Sequence, residues 1–308
     1  CNPTFFNKIT IIYPKMISYI IFNNYSISYF KGGFESFGNN IQQIANAIIY
    51  CNLHGYNFYL KNHPYINDFK VINDRRSNLF SFFKKKYRFF YFNKEVTNFF
   101  NRKEFFNKNE NDFPITESEK IIFINEMHDT VKKYIKPNLN FCENQEIADD
   151  TLVIHIRSGD VFDDDWHSMY VQNPLSYYEK LISKYEKTIV VTSDEKNPVI
   201  EKLKDKKNIT ISSSTFENDL NVLLNAKNLA SSGVGTFVLS AALLSEKIEN
   251  YYCSQYFLEE HLNPEMIKNV TIKKLFVHDY IDIGNFKKTK NNIEKLVSDK
   301  ITITENYE

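Results

Sequence analysis

The apolar positions of the chain change period from one region to the next. Near the start, Ile9-Thr10-Ile11-Ile12-Tyr13 and Tyr19-Ile20-Ile21-Phe22 are short runs rich in β-branched and aromatic residues, the composition of strands. The loop Lys31-Gly32-Gly33-Phe34-Glu35-Ser36-Phe37-Gly38-Asn39-Asn40 follows. Directly after it Ile41, Ile44, Ala45, Ile48 and Ile49 recur at i, i+3, i+4, i+7 and i+8, one face of an amphipathic helix that Gly55 closes. Residues 80–106 are dense in Phe, Lys and Asn and show no clear period. Beyond them Thr116 and Glu119 form a capping box ahead of a helix bearing Ile121, Ile124 and Val131, which Pro137 ends.

The second half alternates more cleanly. Leu152-Val153-Ile154, Thr188-Ile189-Val190-Val191, Ile209-Thr210-Ile211 and Leu229-Ala230 are each followed by a helical pattern, beginning near Pro174, Pro198, Phe216 and Thr236. Strands alternating with helices of this length predict βαβ units and a parallel sheet covered on both faces. Asn173-Pro174 supplies an N-cap and a proline at the first helical position, and Leu175, Tyr178, Ile182 and Tyr185 keep the helical period. The polar stretch from Lys136 to Asp150 separates the halves, so the expected division is residues 1–148, residues 149–285, and a C-terminal segment 286–308. That last segment reads as a helix around Asn291 to Val297 followed by a frayed tail.

Composition narrows the choice of partners. With 38 basic against 38 acidic side chains and a pI near 7.2, nothing in the overall charge favours nucleic acid or an acidic membrane, so any anion site must be local. The 43% of hydrophobic and 25% of charged residues are those of a globular protein. Cys1, Cys51, Cys142 and Cys253 are scattered, with no CxxC pair and no histidine at ligand spacing, which suits reduced thiols in a cytoplasmic protein. The apolar stretch from Ile17 to Phe30 is broken by Asn23, Asn24 and several Ser and Tyr residues, so it lacks the ~20 consecutive apolar residues of a membrane span. The first residue is Cys1 and not Met, which leaves room for an upstream segment. Lys84-Lys85-Lys86-Tyr87-Arg88, flanked by Phe82, Phe83, Phe89 and Phe90, could touch anionic lipid peripherally or stand as a solvated edge.

The sharpest chemical signal is Leu152-Val153-Ile154-His155-Ile156-Arg157-Ser158-Gly159-Asp160, an apolar strand ending in a basic, small and acidic cluster. In an open α/β sheet the ligand sits outside the carboxyl ends of the strands, where such a cluster would reach it. Arg157 offers a planar fork of donors for a diphosphate or carboxylate, and Gly159 allows a tight turn beside it. Equally, Arg157 and Asp160 could simply pair to brace a loop. Asp163-Asp164-Asp165 offers oxygen ligands that would suit Mg²⁺ or Mn²⁺, but it follows a strand whose arginine already supplies a cation, so it is read as a loop and no metal site is expected.

His155-Ile156-Arg157-Ser158-Gly159-Asp160 resembles the HxRRGD motif of the bacterial α-1,2-fucosyltransferases and, more loosely, its counterpart in α-1,6- and protein O-fucosyltransferases. Gly32-Gly33-Phe34 through Asn39-Asn40, with the helix containing Gln42 and Ala45, is similar to the family's N-terminal GGLGNQ-type loop and helix. Asn218-Asp219-Leu220 through Ala226, then Ser231-Ser232-Gly233-Val234-Gly235-Thr236-Phe237, resembles its acidic-Leu helix and small-residue turn. The segments occur in the family's order across most of the chain. Ser158 stands where the family has a second Arg, and Val238-Leu239-Ser240 replaces a Trp-rich segment.

The resemblance implies a GT-B glycosyltransferase: two Rossmann-like α/β domains with parallel sheets facing a cleft, an N-terminal acceptor side, a C-terminal donor side, and inversion without a metal or resident cofactor. The donor would be a nucleotide sugar, GDP-linked by analogy, although a deoxyhexose other than fucose or a heptose fits the same residues. The acceptor would be a glycan of a surface polysaccharide. Gly33, Asn39, His155, Arg157, Gly159, Asp160, Ser193, Asp194, Asp219, Gly235, Thr236 and Phe237 would line the donor site. Arg157 would hold the β-phosphate and stabilise the leaving diphosphate, with the backbone N–H groups of Thr236 and Phe237 beside it. The base that takes the acceptor proton is open between Glu35 and the run ending at Asp165, with His167 nearby. Two other readings stand beside the enzyme: a catalytically silent nucleotide- or sugar-binding module of the same fold, and an unrelated phosphate-recognising α/β protein.

Overall fold

The computed structural model describes residues 17–22, 25–30, 37–54, 58–61, 63–73, 117–141, 145–164, 166–258 and 261–306. The chain divides into two compact units, residues 1–142 and 143–308.

In the first unit β1 (Ile17–Phe22), β2 (Tyr25–Phe30), β3 (Phe58–Lys61) and β4 (Phe69–Val71) form a sheet in the order β2-β1-β3-β4, and every neighbouring pair is antiparallel. This corrects the expectation of a parallel sheet in both domains. Two residues separate β1 from β2, enough for a hairpin and far too few for a parallel crossover. The longer connection, through α1 (Phe37–His54), joins β2 to β3, which run the same way with β1 between them. The apolar stripe of α1 is buried as its period predicts: Ile41, Ile44, Ala45, Ile48 and Ile49 are all inside.

α2 (Glu117–Thr130) packs on α1, but not by the face the sequence suggested. Ile121 is 60% exposed, and the buried line is Phe123, Met127, Val131 and Ile135. Those residues recur every four positions, a spacing that outruns the 3.6-residue period and suits the wider π turn of Val131–Ile135. A 3₁₀ turn, Lys136–Asn138, carries Pro137 at its start and ends the helical segment.

The second unit is α/β, built on an open seven-stranded sheet. Its strands are β5 (Thr151–His155), β6 (Lys187–Val191), β7 (Ile209–Ser212), β8 (Asn228–Ala230), β9 (Asn250–Ser254), β10 (Thr271–Val277) and β11 (Ile303–Asn306), in the order β11-β10-β9-β8-β5-β6-β7. All neighbours are parallel except β10 and β11. Counted within this unit, β5 to β10 lie in the order 3-2-1-4-5-6, the doubly wound Rossmann-type arrangement, with its switch point between β5 and β8. β5 is apolar and buried along most of its length because it lies inside the sheet with parallel partners on both sides.

The connections are helical: α3 (Leu175–Ile182), α4 (Pro198–Leu203), α5 (Phe216–Asn225) and α6 (Phe237–Leu244) follow β5 to β8 in turn. α5 packs against α6, and α4 against α7 (Lys290–Leu296). α3 begins one residue later than its sequence signal, with Pro174 as the N-cap, because Asn173 instead donates its amide to the Ser231 carbonyl. The frayed tail is also corrected. Residues 303–306 are the edge strand β11, to which Lys180 on α3 is tied by a hydrogen bond from Nζ to the Ile303 carbonyl of 2.9 Å and an ion pair with Glu305. Among the described residues no helix is long and apolar enough to cross a membrane.

Candidate functional site

The carboxyl end of β5 leads into Ile156-Arg157-Ser158, and that of β8 into the turn Ser231–Thr236 ahead of α6. These segments meet at the switch point. The Arg157 N–H donates to Ser232 Oγ at 3.0 Å, and Gly235 comes so close that a Cβ there would stand 3.6 Å from Arg157 Nη1. Arg157 is 22% exposed in its side chain, so its head is neither buried nor free in bulk water. Its guanidinium lies 4.5 Å from the centroid of the Tyr170 ring. Asp160, 70% exposed, stands 3.4 and 3.5 Å from Nη2, longer than the 2.7–2.9 Å of a strong charge-assisted bond.

Ser158 and Gly159 turn the other way, toward the loop after β6. Gly159 adopts φ +66°, the left-handed region that glycine enters without penalty. The Ser158 hydroxyl donates to Asp194 Oδ1, which also accepts the N–H groups of Gly159 at 3.2 Å and Lys196 at 2.9 Å. Burial alone would raise the Asp194 pKa, but the Ser158 hydroxyl, the two N–H groups and the Lys196 charge together hold it below its ordinary value. Asn197 completes the tie: its N–H donates to Ser158 Oγ at 2.9 Å and its amide to the Arg157 carbonyl at 3.0 Å.

His155 ends β5 beside α6, its ring edge-on to Phe237 with centroids 5.2 Å apart, and Phe237 in turn meets Phe216 at the start of α5 at 5.7 Å. Burial, with a smaller contribution from the Arg157 charge, lowers the His155 pKa to about 3, so the imidazole is neutral at physiological pH. Thr236 is the N-cap of α6, and its side chain makes no cap bond to the first turn.

Of the residues predicted to line a donor site, His155, Arg157, Gly159, Asp160, Ser193, Asp194, Gly235, Thr236 and Phe237 are thus gathered at the carboxyl ends of the central strands β5, β6 and β8. A Cβ on Gly159 would stand 3.4 Å from Ser193 Oγ, which places Ser193 against the same turn. Asp219 is in the first turn of α5, accepts from Ser212 Oγ at 3.3 Å, and is raised in pKa mainly by burial. Asn39 is in the first turn of α1, in the other unit. Gly33, Glu35 and Asp165 lie outside the described residues, as does the run from Lys84 to Arg88. Asp163 pairs with Lys196 at 2.6 Å and Asp164 with Lys288 at 3.8 Å, so these carboxylates balance lysines. Among the described residues no group of three His, Cys, Asp or Glu is placed to hold a metal ion. Cys51 and Cys253 are buried, and burial is the main cause that pushes the Cys253 thiol up to about 12; Cys1 and Cys142 lie outside the described residues.

Sequence reasoning missed Tyr170 and Asn197. Neither carries a motif, and their roles come from folding distant loops onto Arg157. Ser232 was legible only as one of the small residues in its turn. Comparison with protein-family models, with curated proteins and with solved structures gives no match for this chain.

Proposed function

We propose that the chain is an inverting, metal-independent glycosyltransferase that moves a sugar from a GDP-linked donor to a glycan acceptor in surface polysaccharide synthesis. The observation that carries the reading is the position of Arg157, which follows the first strand at the switch point, beside the Gly235–Thr236 turn that opens α6. A diphosphate there would meet a planar cation and the partial positive charge of a helix N-terminus, the two features that stabilise charge developing on a leaving nucleoside diphosphate. In this reading Glu35 or Asp165 takes the acceptor proton, and the first unit serves the acceptor.

A second reading is favoured by one contact. Asp160 already lies near the Arg157 guanidinium, so the pair could brace the loop of a binding module that performs no transfer. One experiment separates the two. GDP at a hundred times its dissociation constant should stabilise the native chain by about 2.7 kcal/mol, and Arg157→Ala should abolish that gain and reduce sugar transfer about a hundredfold or more. A folded Arg157→Ala variant with undiminished GDP binding and transfer would remove Arg157 from the mechanism. GDP binding without transfer to any glycan would support the silent module.

A further inference from the structure

The grip on Arg157 is built from a segment with no motif of its own. Residues 170–173 cross the Ser231–Gly235 turn and are stitched to it: Val234 N–H donates to the Val171 carbonyl at 2.9 Å, Asn173 N–H to the Ser232 carbonyl at 2.7 Å, and Gln172 Nε2 to the Val234 carbonyl at 3.1 Å. Gln172 and Asn173 are fully buried, and the Tyr280 hydroxyl clamps the Gln172 carbonyl from outside at 3.1 Å. Tyr170 itself is held at both ends of its backbone: its N–H donates to the His167 carbonyl at 2.9 Å, and its carbonyl accepts from Gln172 Nε2 at 2.9 Å. The turn that fixes the Arg157 backbone through Ser232 and the ring that carries its side chain therefore belong to one hydrogen-bonded assembly.

We infer that Tyr170 is a positioning residue whose ring face orients the Arg157 guanidinium toward a bound diphosphate. The inference rests on the nucleotide reading of the site. Stacking occupies the face of a guanidinium and leaves its N–H donors free in the plane, where phosphate oxygens bind in bidentate fashion. Asp160, exposed and at long range, takes one edge of that plane and is the group a diphosphate displaces. A flexible arginine would have to be ordered at the moment of binding; one lying on a fixed ring has lost much of that freedom already.

The test compares the native chain with Tyr170→Phe, which keeps the ring, and Tyr170→Leu, which removes it. Tyr170→Met, with an unbranched side chain, replaces Leu if that variant does not fold. Two readouts are taken: the NMR shift of the Arg157 δ-methylene protons, displaced upfield by a ring beneath them, and the affinities for GDP and GMP. The native chain and Tyr170→Phe should share the upfield shift and a preference for GDP. The ring-less variant should lose the shift, bind GDP about tenfold more weakly, and lose most of its preference over GMP. Unchanged GDP affinity in that variant would overturn the positioning role alone. An equal loss in Tyr170→Phe would assign the effect to the hydroxyl and overturn it too. A native chain that shows the upfield shift but binds no GDP would sink the nucleotide reading and, with it, the purpose given to Tyr170, while leaving the stack itself standing.

Discussion

Ser158 donates its hydroxyl to the carboxylate of Asp194 and accepts the N–H of Asn197, so the residue standing at the second arginine of the resembled motif faces inward, against the loop after β6. It is buried, and its work is to tie the Arg157–Gly159 turn to the neighbouring strand. The departure from the motif thus falls on a position that, in this chain, makes no approach to the Gly235 side of Arg157.

Ser158→Ala and Asp194→Ala should each destabilise the second unit by about 1–3 kcal/mol, because each leaves partly buried donors without their acceptor. The two losses should not add. Both remove the same bond, so a double-mutant cycle in chemical denaturation should give a coupling of about 0.5–3 kcal/mol. Additive losses would show that the bond contributes nothing of its own.

The same end of the sheet should make the protein sensitive to acid. The folded pKa of His155 is about 3 against an ordinary 6.5, so below pH 6.5 the unfolded chain takes up a proton that the folded chain refuses. This group's share of stability is complete above pH 6.5 and declines by about 1.4 kcal/mol per pH unit on the way down to about 3. Asp194 acts in the same direction at lower pH, since its depressed carboxyl stabilises the fold above its ordinary value of 3.8 and that contribution is lost as protonation sets in below it. His155→Phe, measured by urea denaturation from pH 7 to pH 4.5, should show a flatter decline than the native chain. Parallel declines would mean that the imidazole is protonated in the folded state.

Much of the second unit was legible because its signals are local. Four apolar runs and four helix starts were placed within a residue or two, since strands buried in a parallel sheet announce themselves as uninterrupted Val, Ile and Leu. β9 and β10 escaped for the opposite reason. Asn250-Tyr-Tyr-Cys-Ser spends its burial on tyrosines, and Lys273-Lys274 interrupts β10, where Lys273 extends to donate to the Tyr252 hydroxyl. In the first unit the apolar face of α2 was set by partners on α1 rather than by its own weak period, so Ile121 was assigned to the wrong side. At the site, the residues at strand ends could be found from position alone. Tyr170 could not, because 13 residues of chain and a strap of long-range hydrogen bonds bring its ring to Arg157.

Gly233 is where that strap can be broken with the least change in chemistry. Its φ is +118°, and a Cβ there would lie 2.4 Å from the Val171 carbonyl oxygen and 3.0 Å from the Gln172 Cα, both backbone atoms that cannot rotate aside. Gly233→Ala therefore combines a conformation that L-residues rarely adopt with a collision against the backbone of a buried segment, and should cost roughly 2–4 kcal/mol. The consequence should reach beyond stability. Moving Val171 away from the turn separates Tyr170 from Ser232, the two groups that hold the side chain and the backbone of Arg157. Under conditions where the variant is still folded by circular dichroism, its GDP affinity should fall and the upfield shift of the Arg157 δ-methylene should shrink together. Gly235→Ala is the matched control, because its Cβ would meet Arg157 only at 3.6–3.7 Å, an ordinary contact, and it should leave stability nearly unchanged. A Gly233→Ala variant as stable as the native chain would show that the strap and the turn are not held together as tightly as their hydrogen bonds imply.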